Sequence, residues 1–129
     1  MNPAPTPPQK AVAAVRLDEP ALARLREIDP DGHHGVVMRV MAAFETSLTR
    51  MLTQLQAERG AGRAEVVASV AHTLKSSSAS VGALELAKAC GEIELKLRNG
   101  DASALQSDIS RLISEGESAL LAVAAILRS

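Results

Sequence analysis

The sequence predicts an all-α fold, an antiparallel up-down four-helix bundle preceded by a short extra helix. Three observations carry this. Successive segments place apolar residues at i, i+3, i+4 and i+7, the spacing of one buried helix face. Glycine or proline interrupts the pattern at short intervals, which favours antiparallel neighbours. No stretch alternates like a strand over a useful length. The chain of 129 residues suits one domain and can bury a core without metals or disulfides.

The first ten residues, MNPAPTPPQK, contain four prolines and have little to pack. Residues 1–15 therefore read as a flexible tail or linker, and residues 16–129 as the bundle. A linker cut from a longer protein and a short natural tail fit this composition equally. Pro20 opens the short helix in EPALARLREIDP, since proline is favoured at the first helical position, and Pro30 closes it. The next helix is predicted from Gly35 to Ala57, with Val36, Val37, Val40, Met41, Phe44, Leu48, Met51, Leu52 and Leu55 on its apolar face. Breaks are expected at Gly60 and Gly62. A third helix runs from Ala64 to about Val81, where Gly82 stops it. The fourth covers Ala83 to Arg98, with Leu86, Cys90, Ile93 and Leu97 in register before Asn99 and Gly100. The fifth begins near Asp101 and carries Leu105, Ile109, Leu112, Ile113, Leu120, Val123 and Leu127. Gly116 inside it marks a bend or a close helix contact.

Composition excludes several functions. The net charge of −1 gives no basic field for nucleic acid. A single Phe, with no Tyr or Trp, leaves no platform for stacking bases. One cysteine, no signal peptide and no apolar run of about 20 residues predict a soluble, cytoplasmic protein without membrane contact. Cys90 lies in an apolar register and reads as a small core residue. His33 and His34 lack the further ligands a metal site needs. No acid–base partner supports a serine nucleophile at Ser76, Ser77 or Ser78, and such serines commonly bond back to the preceding turn.

The third helix contains the one unusual stretch, AHTLKSSSASVGA. Its inward set is Val67, Val70, Ala71, Leu74, Ser78 and Val81. At about 100° per residue, position 72 lies roughly 160° from Leu74, so His72 faces solvent. Lys75 and Ser76 follow at i+3 and i+4 and lie beside it. Ala68 and Ala79 extend the same stripe of small residues, over which a partner surface can approach. A neutral imidazole is a nucleophile through its bare ring nitrogen, and a nearby ammonium can hold an anion against it. These parts suit a phosphoryl-accepting site that works by positioning and charge neutralisation. Antiparallel packing about Gly82 puts Glu92 to Lys96 level with His72. Any one of Glu92, Glu94 and Lys96 is then a candidate to border the site, although with Lys88 they read by default as a solvated face.

The run His72, Thr73, Leu74, Lys75, Ser76, Ser77, Ser78, Ala79, Ser80, Val81, Gly82, Ala83 resembles the signature of histidine-containing phosphotransfer domains of two-component phosphorelays. The resemblance extends over about residues 16 to 129. It implies that His72 is the phosphorylation site and that Lys75 orients or neutralises the phosphoryl group. It implies exchange with an aspartate on response-regulator receiver domains docking near Ala68, Ser76 and Ala79. The receiver would bring Mg²⁺, and this chain would need no cofactor or metal of its own. Such domains are phosphocarriers without kinase activity and mostly monomers, and a hybrid sensor histidine kinase in the same chain is compatible with the proline-rich tail. Accordingly, no Gly-rich phosphate loop is visible. The family usually has Gly where this chain has Ser76, which narrows the approach and adds a hydroxyl able to hydrogen-bond a phosphoryl oxygen. Alternatives are the phosphotransfer domain of a chemotaxis-type histidine kinase and a non-catalytic receiver-binding bundle. A dimerising kinase helix pair fits less well, because Thr73 follows the histidine where that family places an acid, and no Pro comes soon after.

Overall fold

The computed structural model describes residues 17–129, so the proline-rich segment and the boundary drawn at residue 16 lie outside the described residues. Five helices follow one another: α1 (Glu19–Ile28), α2 (Val36–Ala61), α3 (Ala64–Val81), α4 (Leu84–Arg98) and α5 (Leu105–Leu127). Among the described residues there is no strand. Helix α3 packs most extensively on α4 and α2 on α5, while α2–α3 and α4–α5 contacts close the ring. The result is an antiparallel four-helix bundle in chain order. Helix α1 caps it against α2 and α3.

Each helix end has a local cause. The Asp18 carboxylate accepts the Ala21 N–H at 3.1 Å and starts α1, with Pro20 in its first turn. Gly35, before α2, has no side chain to cap with. Asp29 serves instead, accepting the His34 N–H and the Val36 N–H at 3.0 and 3.1 Å. Those donors, the Val36 N–H first, hold the Asp29 carboxyl below its ordinary range. At the other end, α2 passes through Gly60 and stops only at Gly62, the residue that takes a left-handed φ of 62°. The expected break at Gly60 is absent because an exposed helical Gly costs only about 1 kcal/mol relative to Ala. The buried Glu58 then accepts the Arg63 N–H at 2.8 Å, supplying the acceptor that opens α3.

The third helix occupies Ala64 to Val81, as its sequence predicts, and its six inward residues are all buried. At its end the Gly82 N–H reaches Ala79 O and the Ala83 N–H reaches Ser78 O, a glycine-closed C-terminus. Helix α5 begins at Leu105 rather than near Asp101. The Asp101 carboxylate takes the Ser103 N–H and hydroxyl at 3.1 and 2.6 Å, forming a local turn that competes with the helix. Phe44, Leu48, Leu74, Leu86, Cys90, Ile93, Ile109 and Leu112 belong to one continuous core. Gly116 is a close contact and not an accident of composition. A Cβ there would stand 2.6 Å from Leu52 Cδ2, so its absence lets α5 settle on α2.

Candidate functional site

The site lies where α3 and α4 run side by side. Burial of Leu74 and Ala71 turns the opposite face of α3 outward, and the His72 side chain is 61% exposed. Ser76 and Ala79 are exposed along the same stripe, and Ala68 is half-buried. From α4 comes a residue that the sequence puts level with His72 as one of three candidates to border the site, although by default on the solvated face. Glu94 is buried, its side chain only 5% exposed, and it points its carboxylate at α3. Its Oε2 lies 2.7 Å from His72 Nδ1, and its Oε1 accepts from Lys75 Nζ at 2.7 Å. Arg98, one turn further along α4, donates Nε and Nη2 to Oε2 at 2.8 and 2.7 Å. One carboxylate thus gathers an imidazole, an ammonium and a guanidinium.

This crowding fixes protonation states. The Lys75 hydrogen bond, followed by those from His72 and Arg98, outweighs burial and lowers the Glu94 pKa from 4.5 to about 2. An ionised carboxylate only accepts hydrogen bonds, so the proton in the short contact sits on His72 Nδ1. In the neutral ring Nε2 is then the bare nitrogen. The site presents an oriented nucleophile beside two cations that retain unused N–H donors.

The surroundings are open. A shallow depression beside His72 is lined by Ala64, Glu65, Ala68, Ser69, Leu97 and Arg98. Gly91 lies across from Lys75, with the place of its missing Cβ 3.5 Å from Lys75 Cδ, which leaves room for the lysine stem to cross toward α4. The hydroxyls of Ser77 and Ser80 bond back to Thr73 O and Ser76 O, as serines on helices commonly do.

The structure therefore brings His72 and Lys75 together, as their spacing predicts, with Ser76 beside them, and adds Glu94 and Arg98. Glu92 instead pairs with Arg111, and Lys96 with Asp108. His33 and His34 form an edge-on ring contact in the loop before α2, and no group of three metal-ligating side chains occurs among the described residues. Cys90 is fully buried, and desolvation pushes its thiol up to about 12. Only part of the signal for Glu94 was in the sequence. It stands four residues after Cys90 and next to Ile93, at the edge of the apolar register, and four before Arg98. None of the described helices is long and apolar enough to cross a membrane.

Comparison with known proteins shows the family and the fold. A family model described as the Hpt domain matches residues 39–125. Among solved structures, the chain resembles histidine-containing phosphotransfer protein B from Pseudomonas aeruginosa PAO1. The TM-score is 0.74 at 26% sequence identity, covering 89% of this chain and 96% of that one. No curated protein matches by sequence.

Proposed function

The chain belongs to the Hpt domain family, the histidine phosphotransfer modules of phosphorelays, and on that premise we propose that His72 Nε2 is its phosphoryl acceptor. In this reading the donor is an aspartyl phosphate on a response-regulator receiver domain. The Nε2 lone pair forms the N–P bond as the acyl O–P bond breaks, and the receiver recovers its carboxylate. The proton on Nδ1 stays in place, so the product ring is cationic beside a dianionic phosphoryl group. Glu94 then stabilises the positive ring it already touches. The reverse step returns the group to a receiver aspartate.

The observation that supports this most directly is the 2.7 Å contact between His72 Nδ1 and Glu94 Oε2 on an otherwise exposed ring. A surface histidine without a task has no need of a buried carboxylate to set its tautomer. In this reading Lys75, whose Nζ donates to Glu94 Oε1 at 2.7 Å, helps neutralise the phosphoryl oxygens. Receiver docking is assigned to the stripe of Ala68, Ser76 and Ala79, whose small side chains let another surface reach Nε2. Mg²⁺ and the remaining catalytic groups belong to the receiver in this scheme, and the chain acts as a phosphocarrier rather than a kinase.

Incubation with a phosphorylated receiver, followed by intact-mass and acid-stability analysis, tests the proposal. An acid-labile adduct of one phosphoryl group that disappears in His72→Gln is the expected result. Receiver binding by wild type and His72→Gln alike, with no adduct in either, would instead make the chain a binding module.

A further inference from the structure

Away from His72, where α3 turns into α4, a groove of about 720 Å³ opens beside the start of α1. Its apolar walls are Leu17 and Pro20 before and within α1, Leu84 and Leu86 on α4, and Ala119 on α5. Leu84 is left 47% exposed there, although Ala83 and Leu86 on either side are buried. The carboxylates of Asp18, Glu19, Glu85 and Glu115 stand around the groove, with no lysine or arginine among the described residues that line it. Asp18 caps α1 and Glu19 pairs with Arg26. Glu115 is half-buried on the α5 wall and enters no ion pair among the described residues.

The chain itself enters α1 through this groove. Leu17 lines it and packs against the core. Asp18 is extended, with φ −68° and ψ 124°, and its N–H donates to Gly82 O at 2.8 Å. The backbone is therefore anchored at the groove before α1 begins. The sequence just before Leu17 is AVAAVR, five small apolar residues and one cation. In an extended chain alternate residues share a side, which puts Val15, Ala13 and Ala11 with the inward Leu17. Residues 1–16 contain Lys10 and Arg16 and no acid, the complement of the carboxylates around the groove. Six extended residues reach about 20 Å. A segment tethered this closely has an effective concentration on the order of millimolar, which places it ahead of a second copy or a separate partner for the same groove.

We propose that Ala11–Arg16 occupies this groove, with Val15 on the apolar wall of Leu84 and Ala119 and Arg16 paired with Glu115. The folded unit then starts near Ala11, and only the proline-rich residues before it form a tail or linker. Anything joined upstream is thereby tied to the corner of α3 and α4 rather than to the end of a free chain. The inference is independent of the chemistry at His72.

Methyl-resolved NMR of the full chain tests it together with thermal unfolding. Val15 methyls should show cross-relaxation to those of Leu84 and Ala119. Val15→Asp should lower Tm by about 5 °C or more, as expected for losing a buried valine. Thr6→Asp, in the proline-rich part, should stay within about 1 °C of wild type. Arg16→Glu and Glu115→Arg should each lower Tm by about 1–4 °C, and the double variant should recover most of that loss. Absence of the Val15 contacts, with Val15→Asp within about 1 °C of wild type, would overturn the proposal and leave the groove open. Contacts between Val15 and the groove that arise only between chains, in a mixture of labelled and unlabelled protein, would overturn it in favour of a second copy.

Discussion

Replacing Gly82 with alanine attacks the joint that holds α1 onto the bundle while leaving the site untouched. Gly82 ends α3 with a φ of 85°, a conformation that costs an L-residue about 1–2 kcal/mol. The added Cβ would also lie 2.6 Å from Asp18 N, 3.0 Å from Asp18 O and 3.2 Å from Asp18 Cβ. Two of these are backbone atoms, so no side-chain rotation relieves the overlap. Moving Asp18 away breaks its 2.8 Å hydrogen bond from N–H to Gly82 O and disturbs the cap of α1. Overpacking of this kind costs about 1–3 kcal/mol. Together the two effects predict a loss of about 2–5 kcal/mol, which lowers Tm by about 8–20 °C in a domain of this size. Thermal unfolding followed by circular dichroism reads this directly. Gly82→Asn separates the causes, because Asn tolerates the left-handed region but carries the same Cβ. If overlap dominates, Asn will be nearly as damaging as Ala. A Tm within about 3 °C of wild type for Gly82→Ala would refute the reasoning, whatever the Asn variant does. Phosphoryl uptake well below Tm should be unchanged.

Glu94→Gln keeps an acceptor within reach of His72 but removes the charge. Phosphoryl uptake should fall about tenfold or more, and nitrogen NMR of His72 should show mixed tautomers where wild type shows Nδ1–H alone. The acid response follows from the same group. Its folded pKa of about 2 lies below the ordinary glutamate value of 4.5, so its stabilising contribution is complete above about pH 5. That contribution is lost as pH falls from the unfolded value through the folded one. Urea unfolding at pH 6 and pH 3 should show a smaller acid loss in Glu94→Gln than in wild type. Cys90, buried with its thiol raised to about 12, should resist a thiol reagent at pH 8 in the folded protein and react once unfolded. Ser78 has a buried hydroxyl with no hydrogen-bond partner among the described residues, so Ser78→Ala should be neutral or stabilising in the same urea assay.

The parts of this molecule that follow helical periodicity were readable from the chain. The inward set on α3, the outward turn of His72 and the stop at Gly82 all follow from a fixed rotation per residue and one glycine. Where competing local bonds decide, the sequence was less informative. Gly60 and Gly62 look alike as letters, yet only Gly62 takes the left-handed turn that ends α2. Asp101 resembles a helix start, but its carboxylate closes a turn with Ser103 and delays α5 to Leu105. Glu94 shows the deepest limit. Its height along the bundle was deducible from antiparallel pairing about Gly82, whereas its burial was not. A carboxylate is placed inside only when partners on another helix satisfy it, and His72 and Lys75 lie about twenty residues away in sequence.

That dependence on a second helix explains the composition of the stretch as well as its chemistry. A nucleophile on a single exposed helix has a free rotamer and an undefined tautomer. Here the closely packed α3–α4 pair supplies both constraints, provided the two helices approach near enough for Glu94 to reach across. Small residues permit that approach: Gly91 makes way for the Lys75 stem, and Ala71 and Ala89 are completely buried in the core. Small residues on the outer stripe have a different effect in the proposed scheme, where they leave Nε2 accessible to a partner. Ser76 stands in that outer group, where it is exposed. A serine there in place of the family's usual glycine leaves the α3–α4 packing alone. Any consequence of that exchange belongs to partner approach or to a phosphoryl oxygen within reach of the hydroxyl, and the tautomer of His72 should be indifferent to it.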